Sequence, residues 1–195
     1  MSRRLGLMGG TFDPIHHGHL VCAEEARHRF DLEEVIFIPT GQPWQKSATT
    51  SVEDRYLMTM IATSANESFS VSRIEIDRPG PTFTLDTLRA MRGFFGDEAE
   101  LYFITGADAV LEILTWKQPD EVMTLARFVA ATRPGYELGK LRDSELSGSV
   151  IVMPIPSLEI SSTQIRQRVR DGLPIRYLTP SKVVTFIDER GLYRD

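Results

Sequence analysis

Apolar and β-branched residues gather in short runs along the 195-residue chain, at 4–10, 34–40, 69–76, 100–106, 126–132 and 149–154. Runs of this length, bounded by glycine, proline or polar residues, predict β-strands. Helical spacing fills most of the intervals between them. Over 19–30 it brings Leu20, Ala23 and Ala26 to one side, over 52–65 it groups Tyr56, Met60 and Ile61, and over 84–95 it aligns Leu85, Leu88, Met91 and Phe95. Strand alternating with helix predicts an α/β fold: a Rossmann-like, mostly parallel sheet with helices on both faces. Ligands of such sheets sit at the carboxyl ends of the strands. The Pro/Gly-rich segments 39–51, 77–83 and 133–139 each follow a predicted strand and are therefore candidate site loops. None reads as a linker, and no repeat or low-complexity tract is present. The expectation is one domain over 1–195, with a small helical C-terminal part from about 160 whose last fifteen residues read as a final helix with a short extension.

Composition narrows the class. A hydrophobic share of 42% and a charged share of 25% suit an ordinary globular domain. No apolar stretch approaches the roughly 18–20 residues that span a bilayer, and the N-terminal run is too short for a signal peptide, which predicts a cytoplasmic protein without a membrane partner. The net charge of −5 argues against nucleic acid, which calls for a basic stripe. Any anionic ligand must therefore meet local positive charge. The single cysteine, Cys22, sits among apolar helical residues, where it is expected to be buried and inert.

Candidate chemistry concentrates in GGTFDPIHHGH, residues 9–19. A strand runs into Gly9-Gly10, whose missing side chains let a ligand approach the backbone; Asp13-Pro14 marks a turn, and a helix begins near His17-Gly18. Free amides and the positive dipole end at a helix start attract phosphate. His16 and His19, three apart, can both face one anion, with Gly18 clearing the path between them. Imidazole suits the task because a ring N–H donates to phosphate oxygens in either protonation state. Zinc would call for H-E-x-x-H or cysteine partners, and a dinucleotide fingerprint for G-x-G-x-x-G; neither pattern occurs here. Near the other end, Ser161 or Ser162 can cap the following helix, Ser161-x-x-Gln164 fits a capping box, and Arg166 stands one turn inside an anion-favouring helix start. The segment 41–47 is not a P-loop, because Gln45 stands where glycine should precede the lysine.

GGTFDPIHHGH resembles the first signature of the H-x-G-H nucleotidylyltransferase superfamily, with His16-x-Gly18-His19 as its core, and ISSTQIRQR (160–168) resembles the second. Three further stretches, 80–88, 106–116 and 132–136, resemble the nicotinate mononucleotide adenylyltransferase family. The likeness spans nearly the whole chain. It implies a catalytic set of His16, His19, Lys46 and Arg166, with Lys46 as a phosphate-binding charge in the 39–51 loop. ATP would meet Gly9, Gly10, Thr11, Phe12 and Gly18, the capping residues Ser161, Ser162 and Thr163, the backbone near Ile160 beside adenine, and Gly106 and Asp108 along the ribose. The mononucleotide would meet Thr84 at its nicotinate carboxylate, Trp116 stacked on the pyridine ring and Arg133 at its phosphate. Family members often place a second aromatic after the tryptophan, where this chain has Lys117. The implied substrates are ATP and nicotinate mononucleotide. Mg²⁺ would arrive bridging the phosphates, with no protein ligand for it, and a homo-oligomer is left possible. Two alternatives stay open: a sister adenylyltransferase acting on nicotinamide mononucleotide or phosphopantetheine, and a catalytically silent nucleotide-binding module.

Overall fold

Each predicted apolar run contains a strand, though one is much shorter than its run. A computed structural model describes residues 2–42, 49–132 and 148–194, apart from the side chains of 108 and 114. Its strands are β1 (Arg4–Gly10), β2 (Glu34–Pro39), β3 (Phe69–Val71), β4 (Glu100–Gly106), β5 (Arg127–Thr132) and β6 (Val150–Pro154). They form one parallel sheet in the order β3-β2-β1-β4-β5-β6. Among the described residues the helices are α1 (His17–Arg29), α2 (Val52–Thr63), α3 (Thr84–Phe95), α4 (Ala107–Leu111), α5 (Pro119–Leu125), α6 (Ser162–Arg170) and α7 (Ser181–Arg190), with a 3₁₀ turn at Ile113–Thr115.

Continuous apolar strands reflect burial on both faces. Leu101 and Phe103 join Leu5, Leu7, Ile36, Ile38 and Phe128 in a core covered by Leu85, Leu88 and Met91 of α3. Tyr102 and Ile104, pointing the other way, join Met8, Val35, Phe37 and Val129 in a second core, covered by Ala23 and Ala26 of α1, Met58 of α2, Ile165 of α6 and Val183 and Ile187 of α7. The chain leaves β1 toward β3, then returns to β4 on the opposite side of β1. In an open α/β sheet this reversal opens a crevice at the carboxyl ends of the two strands. Among the described residues no helix is long and apolar enough to cross a membrane.

Two local expectations need correction. The run 69–76 is strand only over 69–71. Val35 N–H donates to Ser68 O, so successive rungs fall at Phe37 and then Pro39, which has no N–H to continue the ladder. In α2 the buried side is not Tyr56, Met60 and Ile61 but Arg55, Met58, Thr59 and Thr63; Met60 is 43% exposed. Thr59 and Thr63 satisfy their buried hydroxyls on the carbonyls of Arg55 and Thr59, one helical turn back. Apolar spacing alone therefore selects the wrong face.

Candidate active site

Two cavities open at the carboxyl ends of β1 and β4 and share Gly9 and Thr105 between them. One, of about 260 Å³, is lined by Gly10, Thr11, Thr84, Phe103 and Trp116. The other, of about 360 Å³, is lined by His16, Gly18, His19, Gly106, Ile160 and the serine pair Ser161-Ser162. Joined, they form one cleft within the ~300–1,000 Å³ range of small-molecule sites.

The loop between β1 and α1 is built around its histidines. His16 is the N-cap of α1, in extended conformation, and its backbone N–H donates to His19 Nδ1 at 3.2 Å. An accepting Nδ1 fixes the proton of the neutral His19 ring on Nε2. The two imidazoles stack with centroids 3.7 Å apart and planes 27° apart. A Cβ on residue 18 would stand 3.0 Å from Cε1 and Nδ1 of His16, so Gly18 makes room for the imidazole itself. Gly10 acts in the same way toward the Phe12 ring, whose Cε1 would lie 2.9 Å from a Cβ there. That ring is 2% exposed and packs edge-on against His19, so Phe12, held at a φ of 50°, is a core residue on the loop.

Four loop carbonyls receive donors from distant parts of the chain. Arg55 Nη1 reaches Thr11 O at 2.8 Å, Arg166 Nη1 reaches Asp13 O at 2.6 Å, Ser162 Oγ reaches Pro14 O at 2.8 Å and Thr179 Oγ1 reaches Ile15 O at 2.7 Å. The Asp13 carboxylate, buried as well, accepts from Thr49 N–H and Oγ1 and from the Tyr193 hydroxyl. Burial pushes its pKa upward, but the donors from Thr50, Tyr193 and Thr49 together outweigh this and hold it below the usual carboxylate range.

The second signature meets the first through these bonds. Ser161 caps α6 by accepting from Gln164 N–H at 3.1 Å, as its spacing predicts. Ser162 gives its hydroxyl proton to the histidine loop instead of leaving it for a ligand. Arg166 spans Asp13 O and, through Nη2, Thr163 Oγ1 at 3.3 Å, so it stands beside the loop already oriented. Neither Thr163 nor Arg166 lines the cavities. Gly106 caps α4 with open space around its Cα, and Asp108 lies on α4, its side chain outside the described residues.

In the smaller cavity, Thr84 and Leu85 present the start of α3, their amides lying ahead of the helix ladder that begins with Asp86 and Thr87 N–H on Phe83 O. Trp116 is both core and cleft: its ring meets Phe103 at 6.2 Å and Phe128 at 6.4 Å while also lining the cavity. Lys117 is the one cation among the described residues of this lining; its Nζ lies 5.0 Å from the Phe83 ring centre and 3.5 Å from Asp86 Oδ2. Lys46 and Arg133 lie outside the described residues.

Glu75 is absent from any motif read in the sequence, yet it lines this cavity, 7% exposed, and accepts from Thr87 Oγ1 at 2.7 Å. Burial pushes its carboxyl up to about 7, against the pull of Thr87, Arg78 and Arg55. Because the folded pKa exceeds the unfolded one, the folded state holds more protons between about 4.5 and 7, and stability declines as pH rises through that window. Glu75→Gln is expected to gain on the parent by roughly 1–3 kcal/mol more at pH 8 than at pH 4.5. Urea midpoints at the two values measure this, and an equal gap at both would refute it. The roles of Arg55, Tyr193 and the Asp13 carboxylate also escape sequence reading. Their partners lie 14 to 180 positions away, and no spacing rule reaches that far.

A cytidylyltransferase-like family model matches residues 7–168. A protein of Saccharopolyspora erythraea named "Probable nicotinate-nucleotide adenylyltransferase" is 57% identical over 98% of this chain and 90% of its own length. One of Streptomyces coelicolor with the same name is 57% identical over 96% of this chain and 99% of its own. Among solved structures, a Plasmodium falciparum nicotinic acid mononucleotide adenylyltransferase complexed with NaAD superposes with a TM-score of 0.80 at 18% identity, covering 98% of this chain and 97% of that one. At that identity the likeness concerns the fold.

Proposed function

The chain belongs to the nicotinate-nucleotide adenylyltransferases of the cytidylyltransferase-like family, and from that premise we propose how its cleft transfers AMP from ATP to nicotinate mononucleotide. A 5′-phosphate oxygen of the mononucleotide attacks the α-phosphorus of ATP. The bond from that phosphorus to the bridging oxygen breaks, and pyrophosphate leaves as nicotinate adenine dinucleotide forms. The observation carrying this reading is the stacked His16–His19 pair, set in a cavity that joins a tryptophan-lined one over Gly9.

ATP lies in the larger cavity, with adenine near Ile160, ribose along Gly106 and Asp108, and phosphates over Gly9, Gly10, Thr11 and Gly18. His19 donates through Nε2, and His16 adds a second imidazole. Arg166, whose Nη1 is held by Asp13 O, offers its remaining N–H groups. Lys46 supplies a further charge. The mononucleotide lies in the smaller cavity, its carboxylate at the α3 amides by Thr84, its ring on Trp116 and its phosphate at Arg133. A phosphate is already a competent nucleophile, so positioning and charge neutralisation suffice. Cys22 lines the larger cavity, but burial, with Glu25 nearby, pushes its thiol up to about 12, which leaves it protonated and unreactive. The loop's own carboxylate, Asp13, is buried and engaged by Thr49 and Tyr193, which suits Mg²⁺ travelling with the phosphates. Bound with the phosphates, the ion would neutralise part of their charge.

Incubation with Mg-ATP and nicotinate mononucleotide tests the reading: pyrophosphate and the dinucleotide should appear together. Faster turnover of nicotinamide mononucleotide or phosphopantetheine would reassign the acceptor, and ATP binding without pyrophosphate release would mark a silent module. Trp116→Ala is expected to raise KM for the mononucleotide about tenfold and KM for ATP less than about threefold. Steady-state kinetics with each substrate varied measures the split. Equal increases would place Trp116 in the core only.

A further inference from the structure

The Schellman turn that ends α7 aims a side chain back at the histidine loop. Gly191 takes the left-handed φ of 62°, Leu192 N–H returns to Ile187 O at 3.0 Å, and Tyr193 follows with a φ of 63°. A left-handed tyrosine is uncommon and needs a compensating contact. Its hydroxyl supplies one, donating to Asp13 Oδ1 at 2.7 Å across 180 residues of sequence. Burial pushes the tyrosine's pKa up, with the Asp13 charge adding to it, so the hydroxyl remains a donor at any working pH.

Asp13 links three segments that meet at the histidine loop. Its other carboxylate oxygen accepts Thr49 N–H and Oγ1, both at 2.8 Å, at the end of the 39–51 loop. Its carbonyl accepts Arg166 Nη1. Three positions further along is His16. We propose that Tyr193 is a positioning residue for adenylyl transfer, acting through Asp13 to hold the histidine loop, Arg166 and the end of the 39–51 loop in one arrangement. A carboxylate deprived of the hydroxyl, yet still 3% exposed, must rotate or draw in water, and its carbonyl and both neighbouring segments move with it. Displacements near 1 Å in such a constellation cost about 10²-fold in rate.

The inference rests on the proposed reaction, so the parent enzyme is assayed beside each variant. Tyr193→Phe removes one oxygen and keeps the ring. Its kcat for dinucleotide formation is expected to fall about tenfold or more, with KM for ATP and the mononucleotide within about threefold. In a double-mutant cycle, Tyr193→Phe combined with Asp13→Ala should be no slower than Asp13→Ala alone. A tyrosine that merely stabilised the fold would lower the thermal midpoint and leave kcat of the folded enzyme intact. The exposed Tyr177→Phe serves as control and should match the parent. Parental kcat in Tyr193→Phe, or additive losses in the cycle, overturns the inference while leaving the reaction standing. An inactive parent overturns the reaction. If Tyr193→Phe does not fold, Thr49→Val weakens the same carboxylate from its other oxygen, and unchanged kcat there counts equally against the proposal.

Discussion

His19→Ala is expected to lower kcat for dinucleotide formation by about 10²–10³-fold in an enzyme that still folds. The loss has two sources. Alanine removes the Nε2 donor proposed to meet the phosphates as charge builds on them. It also removes the Nδ1 acceptor of the His16 N–H and the ring stacked at 3.7 Å on the His16 imidazole, so the second histidine loses its support. His19→Asn separates the two. Its side-chain oxygen can accept the His16 N–H and keep the loop's entry into α1, but the shorter amide does not reach as far as Nε2. If donation to phosphate dominates, both variants are slow and differ by less than about tenfold. If support of His16 dominates, asparagine restores most of the rate. Stability should change by only about 1 kcal/mol, the usual scale of an N-terminal cap contact. A near-parental kcat in His19→Ala would remove this histidine from the mechanism.

The strands were legible because burial on both faces forces continuous apolar runs, and the helix starts because Asp13-Pro14 turns the chain just before α1 and Ser161 stands where the α6 amides need a partner. Legibility ended where long-range polar contacts decide. The run at 69–76 has strand composition throughout, yet Pro39 on the neighbouring strand ends its pairing at Val71. The apolar side of α2 was readable as a stripe, but the stripe is not the buried side: Met60 is exposed and Tyr56 and Ile61 only half-buried, because another side must carry a guanidinium to Thr11 and Gly41. At the cleft, the histidines and the second signature announce themselves by residue type and spacing. Glu75 does not, since a lone glutamate near the end of a predicted strand looks like a solvent-facing residue until Thr87 is seen to meet it. At Gly18 the sequence suggests a path cleared for a ligand, whereas the space it leaves belongs first to the His16 ring.

The buried guanidinium of α2 should yield the largest loss of stability. Arg55 is 1% exposed and joins Thr11 O at 2.8 Å to Gly41 O at 3.2 Å, tying the histidine loop to the segment that follows β2. Burial pulls its pKa down, yet Asp13, Tyr193 and Glu75 act in the opposite direction and help it keep its charge. Removing it leaves two backbone carbonyls short of donors and the Asp13 and Glu75 carboxyls short of a cation. Arg55→Met, close in length and apolar, is therefore expected to destabilise by about 3–5 kcal/mol, the range for breaking a buried charged network from one side. Glu75 should respond in a definite direction. Without the guanidinium's pull its carboxyl rises further, so the decline of stability through near-neutral pH extends to higher pH in Arg55→Met than in the parent. Urea unfolding at a series of pH values reads both effects at once. A loss under about 1 kcal/mol would show that water reaches the two carbonyls, and an unshifted pH window would show that Arg55 and Glu75 are electrostatically independent. Arg55→Lys sharpens the distinction: it retains the charge but not the fork that spans both carbonyls, so it should restore the parental pH window while recovering only part of the stability.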